Sequence, residues 1–85
     1  MNVNFELYKV FYFCAKNSNF SKAAKELFVT QSSVSQSIKK LENEMNIKLF
    51  YRTGKNISLS KEGEILFMHI EKAYNIIKGP IGRKE

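Results

Sequence analysis

Residues 29–42 read VTQSSVSQSIKKLE, and the fold turns on what kind of helix this stretch makes. Val34, Ile38 and Leu41 recur at helical spacing, yet Ser32, Ser33, Ser35 and Ser37 crowd the same segment, and serine is only a middling helix former. At about 100° per residue, Val34, Ile38, Leu41 and Met45 fall within a sector of about 60°, the stripe that faces a core. The opposite side is centred on Ser32 and collects Ser35, Gln36, Lys39 and Asn43. Ser33, Ser37 and Lys40 flank it on one side, Gln31 and Glu42 on the other. The outward face is therefore small and hydrogen-bonding at its leading end, with lysines farther along.

Such a face suits a polyanion. A helix entering a DNA major groove about 12 Å wide needs short side chains where it comes closest to the duplex. Serine, glutamine and the free N–H groups of a helix N-terminus can meet phosphates and base edges, and the helix dipole favours that anion. Glutamine can also bond adenine through two atoms at once. An ordinary solvated face would carry more Glu and Lys, which are better helix formers.

Composition points the same way. The 85 residues suit one small domain with a modest core. At 44% hydrophobic and 13% aromatic the chain is globular rather than disordered. Fourteen Lys and Arg against eight Asp and Glu give a formal charge of +6 and a pI near 9.6, an excess that attracts nucleic acid or an anionic surface. The longest apolar run, Val10 to Ala15, is far short of a membrane span, and no leader with a cleavage site is evident. The lone cysteine, Cys14, has no intramolecular partner and fits a reducing cytoplasm, as a core residue of the first helix. His69 is the only histidine, and neither metal-ligand spacing nor a Gly-rich phosphate loop occurs. No cofactor and no enzymatic activity are expected.

Outward from the opening stretch, the pattern predicts a mainly α chain. Residues 4–17 form a first helix, too apolar all round for one wet face, which packs on two sides. Ser21 is placed to cap a second helix from Lys22 to Phe28, with Ala23 and Ala24 allowing close approach and Leu27 and Phe28 supplying core bulk. Thr30 caps the third helix, which runs to Met45 and stops at a left-handed Asn46. Strands are expected at 48–51 and 56–59 around a tip of Arg52, Thr53, Gly54 and Lys55. Ser60 caps a last helix from Lys61 to Lys78, ended by Gly79 and Pro80. Two helices joined by a short turn are a recurring unit for reading DNA. The chain uses twelve lysines and two arginines, so Arg52 near the tip hints at a contact needing the planar guanidinium; the alternative is pairing with a nearby carboxylate.

These residues carry a family resemblance. The blocks FSKAAKEL (20–27), VTQSSVSQSIKKLE (29–42), LFYR (49–52) and LSKEG (59–63) resemble the DNA-binding half of LysR-type transcriptional regulators, from about Phe5 to Ile77. Asn19 stands where the family usually has Ser, and Asn46 where it has Gly. The resemblance implies a winged helix-turn-helix over residues 1–58, a linker and dimerisation helix over 59–78, and a tail over 79–85. It maps DNA contacts onto Ser21, Gln31, Ser32, Ser33, Ser35, Gln36, Lys39, Arg52 and Thr53, and Lys55 adds charge at the wing tip. The partner is double-stranded DNA, at a near-palindromic AT-rich site bound by a homodimer. Ile65, Leu66, Ile70, Ala73, Tyr74 and Ile77 are the expected dimerisation residues, since they exceed what one small core absorbs. The family's effector-binding domain is absent from this chain, which leaves a part of a longer protein or a short protein without a sensor. A small-molecule effector would not bind here.

Overall fold

Asn4 opens the first helix. Its Oδ1 accepts from the Glu6 N–H at 3.0 Å, and α1 (Phe5–Asn17) follows until Ser18 turns left-handed at φ 53°. In this computed structural model, which describes residues 4–54 and 56–81, the remaining order is α2 (Phe20–Leu27), α3 (Gln31–Met45), β1 (Phe50–Thr53), β2 (Asn56–Leu59) and α4 (Lys61–Ile76). A π-helical turn, Ile77–Ile81, continues α4. The architecture is mainly α: a three-helix core, a two-stranded antiparallel wing and a long final helix. No helix of the described residues is long and apolar enough to cross a membrane.

The core stripe of α3 lies where its periodicity places it. Val34, Ile38 and Leu41 are buried against Leu7, Val10, Phe11 and Cys14 of α1 and Phe20, Ala23 and Ala24 of α2, with Met45 partly buried beside them. Ala23 and Ala24 bring α2 close to its neighbours, as their size requires. The aromatic surplus of α1 is absorbed on a second side: Tyr12 stacks on Phe67 with centroids 5.6 Å apart and meets Tyr74 at 4.9 Å. Burial raises the Tyr12 phenol above its ordinary range, and the charge of Glu71 and then Tyr74 add to this.

Four local expectations are corrected. Ser21 does not cap α2; Asn19 does, its Oδ1 accepting from the Lys22 N–H at 2.8 Å, so the helix begins at Phe20 and Ser21 lies exposed in its first turn. Asparagine is as good a cap as serine. Phe28 adds nothing to the core: it is 93% exposed. The backbone there must turn left-handed (φ 58°) so that the Phe28 and Val29 N–H groups can close the end of α2, and that turn carries the side chain outward.

The first strand covers 50–53 rather than 48–51, because Glu42 takes the Leu49 N–H and the Ser60 hydroxyl takes the Lys48 carbonyl, leaving Leu49 only its carbonyl for Ser60 across the strands. Ser60 Oγ donates to the Lys48 carbonyl at 2.6 Å and Ser60 N to the Leu49 carbonyl at 2.9 Å. Arg52 and Thr53 lie within the ladder, opposite Ile57 and Asn56, and the chain reverses at Gly54, whose φ of 63° suits a residue without a Cβ. Finally, Gly79 and Pro80 do not end helical winding outright. Winding continues through them as a π-type turn.

Gly63 is fixed by packing. A Cβ there would press into the Leu49 carbonyl oxygen and touch Leu59. Gly63→Ala is expected to lower the unfolding free energy by about 1–3 kcal/mol in a urea melt, because backbone is what must yield. Cys14 supplies a pH test. Burial pushes its thiol from 9.0 to about 12. The native thiol therefore keeps its proton over a range where the unfolded thiol ionises, and stability falls as pH rises from 9 towards 12. Alkylation of native protein at pH 8 should be slow and become rapid when denaturant is added; equal rates would place Cys14 at the surface.

Candidate nucleic-acid interface

Helix α3 begins at Thr30, whose Oγ1 accepts from the Ser33 N–H at 3.0 Å. That bond occupies one of the leading donors. The Gln31 and Ser32 N–H groups have no acceptor among the described residues and stay at the exposed tip. Gln31, Ser32, Ser33, Gln36 and Lys39 are exposed and Ser35 is half-buried, so the hydrogen-bonding face is intact.

Across from this face stands the wing. A groove of about 540 Å³ runs between α3 and β1, lined by Phe20, Ser35, Gln36, Ile38, Lys39, Glu42, Lys48, Phe50, Tyr51 and Arg52. It brings together four of the residues singled out from the sequence: Ser35, Gln36, Lys39 and Arg52. Ser21, Gln31, Ser32 and Ser33 lie outside it, on the exposed starts of α2 and α3, and Thr53 on the exposed end of β1. Lys55 falls outside the described residues.

Strand alternation separates Arg52 from Thr53. Arg52 shares a sheet face with Phe50, Ile57 and Leu59, the face turned to the core, whereas Thr53 lies on the other. The Arg52 guanidinium is 5.0 Å from the centroid of the Phe20 ring. No carboxylate pairs with it among the described residues, where Lys16–Glu26, at 4.0 Å, is the one ion pair.

Sequence reasoning left Glu42 on the flank of the outward face and missed its part in building the groove. Its Oε2 accepts from the Leu49 N–H at 2.8 Å and the Phe50 N–H at 3.3 Å, tying the root of β1 to α3. The available signal was an acidic residue bordering the core stripe one turn before a left-handed stop. The wing is also held from behind: Ile57 N donates to the Ser18 carbonyl at 3.3 Å, and Asn19 Nδ2 to Asn56 Oδ1 at 3.4 Å.

A second, apolar groove of about 500 Å³ lies between α1 and α4. Phe5, Tyr8, Lys9, Tyr12, Phe13, Ile70, Ala73, Tyr74 and Ile77 line it. Of the expected dimerisation residues, Ile70, Ala73, Tyr74 and Ile77 are here; Leu66 packs on the chain's own core, and Ile65 is half exposed outside the groove. His69 is exposed, and no cluster of three metal-ligating side chains exists among the described residues.

Residues 5–64 match the family described as bacterial regulatory helix-turn-helix protein, lysR family. The chain belongs to this family. It is 41% identical over 69 residues to the HTH-type transcriptional regulator PerR of Escherichia coli K12, covering 81% of this chain and 23% of that protein. It is 40% identical over 76 residues to the HTH-type transcriptional regulator GltR of Bacillus subtilis 168, covering 89% and 26%. The chain thus spans about a quarter of the length of the curated relatives it matches. Among solved structures, the DNA-binding domain of BenM in complex with catB site 1 DNA superimposes with a TM-score of 0.79 at 25% identity, covering 87% of this chain and 83% of that one. The fold is the winged helix-turn-helix of LysR-type regulators.

The Glu42 tie is testable. Glu42→Ala leaves two partly buried N–H groups without an acceptor and is expected to cost about 1–3 kcal/mol in a denaturant melt. Glu42→Gln retains a carbonyl acceptor and should cost less. Equal losses would show that the oxygen is not what matters.

Proposed function

We propose that this chain binds double-stranded DNA sequence-specifically as the DNA-binding part of a transcription regulator. In this reading α3 enters the major groove, and the wing rests on the adjacent backbone or minor groove. The observation that carries it is the groove in which Ser35, Gln36 and Lys39 of α3 face Arg52 of β1. Base-reading amides and phosphate-binding cations then stand on two elements that can straddle one strand of a duplex. The net charge of +6 supplies the long-range attraction. The DNA complex of a family member with the same fold supports the reading. Ser21, Gln31, Ser32, Ser33 and Thr53 would contact the duplex around this centre, with Lys55 beyond the wing.

Residues 1–58 are proposed as the DNA-binding unit, 59–78 as the linker helix and 79–85 as a tail. The apolar groove of α1 and α4 supports a homodimer, in which two copies of α3 read a near-palindromic, AT-rich site. The chain itself is proposed to bind no small-molecule effector and to act in the cytoplasm.

Specificity and affinity should separate. Gln36→Ala is expected to cost about 1–3 kcal/mol on the preferred duplex and little on random DNA. Lys39→Ala should weaken both alike and make the salt dependence shallower by about one unit. Gel-shift titrations at two salt concentrations read both. Equal proportional losses for the two variants on both duplexes would refute the division of roles.

A further inference from the structure

The placement of Arg52 over Phe20 carries more than the proposed interface requires. Arg52 lies on the core-facing side of the wing, directly opposite Ile57 in the ladder, where a charged side chain would ordinarily have to turn away. It stays because an aromatic face receives it: the guanidinium carbon lies 5.0 Å from the centroid of Phe20, inside the range in which a cation is held by a ring. That ring is itself immobilised. Phe20 is buried and meets Phe50 edge-on at 5.8 Å, and Phe50 packs on Phe11 at 5.3 Å. Phe20 is also the first residue of α2, directly after Asn19, which caps that helix and reaches Asn56 of the wing. Arg52 nevertheless remains exposed and lines the groove beside Lys39 and Gln36.

We infer that Phe20 is a positioning residue for DNA binding: it seats the Arg52 guanidinium by its flat face and leaves the N–H edge turned to the groove for a phosphate or base edge. This deepens the DNA-binding proposal and rests on it. A free arginine loses rotamer freedom when it binds, whereas one already laid on a fixed ring has lost much of it beforehand, so the contact is stronger for the same hydrogen bonds. The seat also explains why arginine, in a chain of twelve lysines and two arginines, occupies this position: a planar guanidinium can lie on a ring and still present N–H groups at its edge, a geometry that an ammonium lacks.

A double-mutant cycle on DNA affinity tests the inference, using a duplex selected from a random pool by the wild-type chain. Phe20→Leu should weaken binding about three- to tenfold when Arg52 is present. In the Arg52→Ala background the same change should weaken it less than about twofold, because nothing remains to be seated. Equal losses in the two backgrounds would overturn the inference and reduce Phe20 to a core residue. A measurement on the DNA-free wild type is independent of whether the variants fold: the Arg52 side-chain protons should show upfield ring-current shifts by NMR, and free-arginine shifts would overturn the seat. If the wild type selects no duplex at all while those shifts are present, it is the DNA-binding proposal that fails, and the positioning role with it, although the contact stands.

Discussion

The four residues between the third helix and the wing, 46–49, hold the molecule's parts in register. After Asn46 turns the chain left-handed, Leu49 is buried completely, and its backbone is claimed from two directions. The Glu42 carboxylate takes its N–H, and the Ser60 N–H takes its carbonyl. Ser60 in turn donates its hydroxyl to Lys48 and accepts from Gly63, so all of its polar atoms are satisfied at 1% exposure. One short segment therefore connects α3, β1 and the start of α4, which pass so close that Gly63 has no room for a side chain. A partly buried carboxylate bonded to two N–H groups is worth far more than a surface ion pair, since losing it leaves donors with neither water nor partner.

The groove inherits its shape from that connection. Its α3 wall is set by the Val34, Ile38 and Leu41 stripe, and its wing wall by Glu42 at one end and by Ser18 and Asn19 at the other. Neither wall is held by Gln36 or Lys39, the exposed α3 residues proposed to touch DNA. Gln36 and Lys39 are thus free to be chosen for recognition, and substitutions there should leave the fold alone. The opposite is true of Phe20 and Glu42, which both line the groove and hold it open.

Helices α1 and α4 present a different physical problem. A three-helix core of this size cannot cover Phe5, Tyr8, Tyr12, Phe13 and Tyr74 as well as Val10, Phe11 and Cys14. Part of the surplus is resolved within the chain, Tyr12 stacking on Phe67 and meeting Tyr74 at a tilt while Tyr8 and Phe13 pack partly on the core, and an open apolar groove is left beside them. Leu66 and Ile70 both pack on the chain's own core, and Ile70 also lines the groove together with Ala73, Tyr74 and Ile77.

What the sequence determined by itself is whatever depends on local periodicity and short-range hydrogen bonding. The core stripe of α3, its cap at Thr30, the left-handed stop at Asn46, the place of Cys14 on the apolar first helix, and the cap at Ser60 all follow from side chains within a few residues of one another. The outward face of α3, and with it Gln36 and Lys39, was legible for the same reason. Tertiary structure decided everything that rests on competition for a distant partner. Lys48 and Leu49 lie outside the strand because the Ser60 hydroxyl took the Lys48 carbonyl and Glu42 took the Leu49 N–H, while Arg52 pairs with Ile57 inside it. Phe28 went to solvent because closing α2 required a left-handed residue there, and backbone closure outweighed burial of its ring. The seating of Arg52 on Phe20 joins residues far apart in the chain, and nothing in the spacing of either announces it.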